Sequence, residues 1–196
     1  MLWTGCGPCA APPQCPDDFS AAAAGFSEEV RAVLQKKLAL VEGLAADPMV
    51  RDAVRRANHD NRDLSMDEIL RRDEKWQKTS GLDDFIKSFI TNACGQFLVS
   101  FQEQHGEFAE IFVTDQRGLI VAETNKTSDY LQSDEAWWVE AFADGRGKSY
   151  QGEVEYDESS MSEAISVYVP VLDPQTKRAI GVVKAVCDIT AIKMEL

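Results

Sequence analysis

The chain has 196 residues, 44% of them hydrophobic and 27% charged, with a formal net charge of −13. That length suits one domain with a real core, or one domain plus a tail. The charge argues against a polyanion such as nucleic acid as partner, and no apolar run approaches the ~20 residues that span a bilayer. Of the five cysteines, Cys94 and Cys187 lie far apart in apolar segments and read as buried thiols.

Residues 1–25 stand apart in composition. Gly5, Gly7, Pro8, Pro12, Pro13 and Pro16 break regular structure, and the stretch reads as a flexible tail. Cys6-Gly7-Pro8-Cys9 has the spacing of a thioredoxin-type redox motif, but no strand precedes it and Pro12-Pro13 prevents a long helix after it. Three cysteines without a nearby histidine do not complete a zinc site, so neither metal nor cofactor is expected. Thr4-Gly5-Cys6 resembles the end of a bacterial lipoprotein signal, which makes Cys6 a candidate for lipidation, although a charged segment and an apolar run before it are missing.

From Phe26 the pattern is helical. Phe26, Val30, Val33, Leu34, Leu38, Val41, Leu44 and Ala45 form one stripe, with Lys36, Lys37 and Glu42 off it; Ser27 is the expected N-cap. Asp47-Pro48 stops this helix and starts a second that runs to about Asn58, followed by the polar break Asn58-His59-Asp60-Asn61. Ser65 to Glu68 is a capping box that opens a helix containing Ile69, Leu70 and Trp76. A further helix is predicted from about Leu82 to Phe101, with an apolar stripe broad enough to pack into the core.

After His105-Gly106 the period becomes strand-like. Phe108 to Thr114 and Leu119 to Thr124 flank the turn Asp115-Gln116-Arg117-Gly118, where Asp115 is expected to stabilise the turn. Asn125 to Ser133 is a polar loop. Asp134 is the expected cap of a short helix over Glu135 to Asp144, and strands follow at about 148–156, 163–171 and 179–188. The short connections make these last strands antiparallel neighbours. The prediction is an α+β fold with a five-stranded antiparallel sheet, one face covered by the long N-terminal helix.

Residues 26–190 resemble the Cache domains, extracytoplasmic sensor modules related to PAS domains. The likeness rests on an ordered set. It comprises the long helix leading into Asp47-Pro48-Met49-Val50-Arg51-Asp52-Ala53, the hairpin Phe112 to Gly118, and Ser128-Asp129-Tyr130. Trp137-Trp138 with Ala141 follows, and Val169-Pro170-Val171 then precedes Ile180-Gly181-Val182-Val183. The resemblance implies a PAS-like sheet and a single sensor domain over 26–196. It also implies a periplasmic or otherwise extracytoplasmic location, a role in signal transduction such as chemotaxis, and a small organic ligand held between the sheet and the segment from Asn125 to Tyr150.

Amino-acid-binding members of that family keep an arginine two residues before a Trp-Tyr pair and an aspartate on the last strand. Here Glu135, Trp138 and Val186 stand at those positions, and Asp188 lies in phase with Val186 to offer a displaced carboxylate. A Glu135 facing the ligand would favour a cationic or neutral molecule over an α-amino acid. Trp137 and Trp138 are about 100° apart on a helix, so at most one sits squarely in the core, and the match favours Trp138 for the pocket. Ser166 and Tyr168 share a strand face opposite Ile165, Val167 and Val169, and Tyr130 and Tyr150 bracket the short helix.

No catalytic constellation is visible. His59 and His105 lie in polar linkers and no glycine-rich phosphate loop follows a strand, so the chain is not expected to be an enzyme. The expected function is sensing, with ligand occupancy passed to the N-terminal helix, whose stripe could equally serve a homodimer. The alternative is a lipid-anchored binding or scaffold protein that lacks an output domain.

Overall fold

The computed structural model describes residues 27–157 and 162–194. The segment 1–25, and with it the readings on Cys6 and its neighbours, lies outside them. Helix α1 spans Glu28–Ala46 and begins where the sequence places it, with the Ser27 side chain accepting from Val30 N and Glu28 and Glu29 in the first turn. Asp47 then accepts from Met49 N and Pro48 takes the first position of α2, Pro48–Asp60. Ser65 accepts from Glu68 N to open α3, Met66–Lys78.

The single helix predicted over Leu82 to Phe101 is two helices, α4 at Asp84–Thr91 and α5 at Ala93–Gln104. Asn92 separates them in an extended conformation, its side chain accepting from Gly95 N. The same amide donates to Val121 O at 3.0 Å, which fixes the corner to the sheet. Gly95 allows the sharp approach: a Cβ there would lie 2.3 Å from the Phe89 carbonyl oxygen. The apolar stripe runs on through the corner, so periodicity could not reveal it. Asn92→Ala removes both the cap and the tie, and is expected to cost about 1–2 kcal/mol in a urea unfolding titration; a loss below ~0.5 kcal/mol would mean that the corner is held by packing alone.

The sheet comprises β1 (Phe108–Asp115), β2 (Ile120–Glu123), β3 (Tyr150–Asp157), β4 (Ser162–Leu172) and β5 (Ala179–Asp188). Its order is β2-β1-β5-β4-β3 with every neighbouring pair antiparallel, as the sequence reading requires. A short helix α6 (Ala136–Phe142) follows β2, and α7 (Ile189–Met194) follows β5. Asp134 does not cap α6: the cap position is Glu135, whose side chain makes no capping bond. The helix ends where Ala143 enters the left-handed region at φ 48°.

Strand alternation sorts the two faces of the sheet. One face carries Ile111, Val113, Val167, Val169, Val171, Val183, Ala185 and Cys187 against Val33, Leu34, Val41 and Leu44 of α1, with α2 and α5 completing the layer. Each such side chain, fully buried, contributes about 1.5–3 kcal/mol, so this layer carries the fold. The α1 stripe is thereby spent within the chain, and a dimer built on α1 would use its other face. Lys37, which the stripe places outside, is 5% exposed and pairs with Glu107 at 2.9 Å, tying α1 to the start of β1. Cys94 and Cys187 are buried, as read from the sequence.

Candidate functional site

The opposite face is covered by α6, the segment after β2 and the α3–α4 region. Registers place five residues across it in one line: Glu123 opposite Phe112, Phe112 opposite Lys184, Lys184 opposite Tyr168, and Tyr168 opposite Tyr150. Opposed residues on one face touch one another, so this line is a physical unit. At its centre the Lys184 Nζ lies 5.0 Å from the Trp137 ring centroid, 5.7 Å from Phe112 and 5.8 Å from Tyr168. A cation within about 6 Å of three rings is held by their negative faces.

Trp137 reaches this place from α6. It stacks on Tyr168 at 5.1 Å with planes 15° apart. Tyr150 donates its hydroxyl to the Trp137 carbonyl at 3.0 Å and lies 4.7 Å from the Tyr168 ring. Burial pushes the Tyr168 hydroxyl up to about 12, and raises that of Tyr150 as well. Both phenols therefore stay neutral, and Lys184 supplies the charge at the centre of this line.

The structure packs Trp137, Trp138, Tyr150 and Tyr168 into one cluster and sets Tyr130 apart. Trp138 is buried one line over, where its Nε1 donates to Thr114 Oγ1 at 2.8 Å and its ring stacks on Phe142. Ser166 lies on the same face beside Val186, in the line next to Lys184. Tyr130 belongs to a separate aromatic group with Trp76, Phe85 and Phe89, held there because Asp73 Oδ1 accepts from Tyr130 N and Leu131 N.

Two expectations are corrected. Glu135 is exposed at the start of α6 and, with Glu155 and Glu140, acts on the Tyr168 phenol from the exposed rim and not from within the face. Asp188 sits at the end of β5, where its carboxylate accepts from Thr190 N at 2.6 Å to start α7, and so supplies no displaced carboxylate to the centre. The cation at the centre is Lys184, and it comes from β5. Lys184 was legible in principle: Val182, Lys184 and Val186 alternate in phase, which puts a lysine on a face otherwise apolar.

Glu123 closes the line at the β2 end. It is fully buried; Oε2 accepts from Thr127 N at 3.1 Å, while Oε1 has no hydrogen-bond partner. Burial, with Glu110 nearby adding to it, pushes its carboxyl up to about 8. Beyond the edge of β2, a cleft of about 300 Å³ opens between α2, α4 and α5, walled by Phe85, Phe89, Tyr130 and Ile120.

No protein-family model matches the sequence, and no curated protein matches it. Solved structures do. The ligand-binding domain of the Pseudomonas aeruginosa amino-acid chemoreceptor PctC, in complex with GABA, is 14% identical with a TM-score of 0.50. That match covers 91% of this chain, which spans 61% of the length of the PctC domain. The E. coli DcuS sensor domain is 16% identical, TM-score 0.47, with 86% of this chain and 97% of that one covered. The sensor domain of the V. cholerae histidine kinase DctB is 16% identical, TM-score 0.40, with 85% and 60% covered. The helix-borne sheet in the order β2-β1-β5-β4-β3 thus shares its fold with the PctC ligand-binding domain.

Proposed function

We propose that the chain is a small-molecule sensing domain, not an enzyme, and that it takes a carboxylate-bearing ligand at the face covered by α6. The observation that carries this reading is Lys184, a cation at the centre of that face, oriented by Phe112, Trp137 and Tyr168. Lys184 is half-buried against these rings, and a partly desolvated lysine gains more from a ligand anion than a fully exposed one does. The cage already holds a cation, so the preference for a cationic ligand inferred from Glu135 is given up. GABA, the ligand in the PctC complex, carries a carboxylate of the kind Lys184 would meet.

Transmission follows from β4. Tyr168 faces the cage, while Val167 and Val169 of the same strand pack on the α1 side. β4 contacts both α6 and α1, so a ligand that shifts Trp137 and Tyr168 moves the strand on which the N-terminal helix rests. In this reading the domain faces the outside of the cytoplasmic membrane and reports inward through α1.

Calorimetric titration with acetate, succinate and GABA, beside butylamine as the cationic control, tests the assignment. A carboxylate is expected to bind, and Lys184→Met to weaken it by about 30-fold or more. Trp137→Ala should weaken it by about tenfold through loss of the lid. Binding of butylamine alone, or an affinity that Lys184→Met leaves unchanged, would overturn the reading.

A further inference from the structure

The cleft beside β2 is separate from the Lys184 face and has its own chemistry. Ala53 and Ala57 lie four residues apart on one side of α2 and face Ala93 at the start of α5; three small side chains leave the gap of about 300 Å³ open. Phe85 and Phe89 meet edge to face at 5.1 Å, and Tyr130 lies 5.5 and 5.7 Å from them, so the wall offers flat aromatic surface.

Cations stand around this wall. The Arg72 guanidinium lies 5.8 Å from the Phe85 centroid and is held by Glu68 at 2.7 Å. Glu68 is shared with Arg71, which grips it with two bonds of 2.9 and 2.8 Å, so it does not cancel both arginines. Arg56 lines the rim from α2, and Asp60, one turn further on, contacts His59. Arg56 makes no salt bridge among the described residues, and Arg72 has only a carboxylate that it shares with Arg71, so both rim arginines can still take an anion.

We propose that this cleft is a second binding site, for a small planar aromatic acid. The ring would enter between the alanines and the Phe85–Phe89–Tyr130 wall, with its carboxylate towards Arg56 and Arg72. A volume of about 300 Å³ is at the lower end for ligand pockets, which limits the guest to one ring or a fused pair. The inference does not rest on the Lys184 reading, and the two fail separately.

Benzoate is the probe, titrated into the whole chain and followed by the indole N–H resonance of Trp76, whose ring packs on Phe85, Phe89 and Tyr130. Saturation in the millimolar range or tighter is expected. Ala57→Leu, which fills the gap, and Arg56→Gln, an exposed change that spares the core, should each weaken it by about tenfold. Lys184→Met should leave it unchanged. No saturation by about 10 mM benzoate, equal binding of benzylamine, or binding lost in Lys184→Met and retained in Ala57→Leu and Arg56→Gln, would overturn the proposal.

Discussion

Glu123→Gln is expected to stabilise the protein at pH 7 by about 3 kcal/mol, and to remove much of its loss of stability between pH 5 and 8. Glu123 is fully buried at the end of β2, and burial moves its carboxyl from an ordinary 4.5 up to about 8. Between those two values the folded chain holds a proton that the unfolded chain has released. Stability from this group is therefore complete below about pH 4.5 and falls as pH rises towards 8. Glutamine has no proton to lose and contributes no such slope.

Burial and the nearby Glu110 favour the neutral form and outweigh the Thr127 N–H, which by itself favours the carboxylate. The Thr127 hydroxyl donates to the Asp129 carbonyl at 2.8 Å and lies 3.2 Å from Glu123 Oε2. One hydroxyl proton cannot serve both acceptors, so a protonated carboxyl that donates to the Thr127 oxygen resolves the geometry. Glutamine keeps an acceptor for Thr127 N at this position and brings no charge into the buried site. Other groups also titrate, so the informative quantity is the difference between the wild-type and Glu123→Gln denaturation midpoints across pH 5 to 8.5. Parallel curves would mean that Glu123 is charged in the folded state and that its unpartnered oxygen is solvated.

How much of this was legible depends on the range of the forces involved. The caps at Ser27, Asp47 and Ser65 are local hydrogen bonds between residues two or three apart, and all three read correctly. Strand order follows from short connections and alternation. The corner at Asn92 was hidden because the apolar stripe is continuous on both sides of it. Lys37 and Glu123 were hidden for a shared reason: a charge within an element reads as solvated, and only tertiary contacts show that Glu107 and Thr127 receive them. Trp137 and Trp138 could not be ranked, because adjacency on a helix fixes the angle between two side chains and not which of them meets the centre of the sheet. The cleft depends on α2 and α5, far apart in sequence, and no local pattern encodes such a gap.

Asp115→Ala is expected to lower stability by about 3–5 kcal/mol, the other large effect. The sequence marks Asp115 as a turn residue, and the turn is the smaller part of its role. Oδ1 accepts from Arg117 N at 2.8 Å and Leu119 N at 3.0 Å, which closes the hairpin. Oδ2 accepts from the Asn61 side chain at 2.8 Å, and the residue is fully buried. Asn58 adds a bond from Gln116 N and donates to Ile180 O, while Arg117 donates to the Asn61 and Leu64 carbonyls. The polar break after α2 is thus a clamp that fixes the β1–β2 hairpin and the start of β5 to the helical layer. Alanine leaves two backbone N–H groups and the Asn61 amide without their acceptor in a buried site. Asp115→Asn keeps an oxygen for the two N–H groups, and Asn61 can turn its amide to present an acceptor, so that variant should lose only about 1 kcal/mol. Urea titrations of the two variants separate the contributions: a cost for Asp115→Ala no larger than that of Asp115→Asn would mean that the hairpin holds without the clamp and that its position is set by the apolar layer alone.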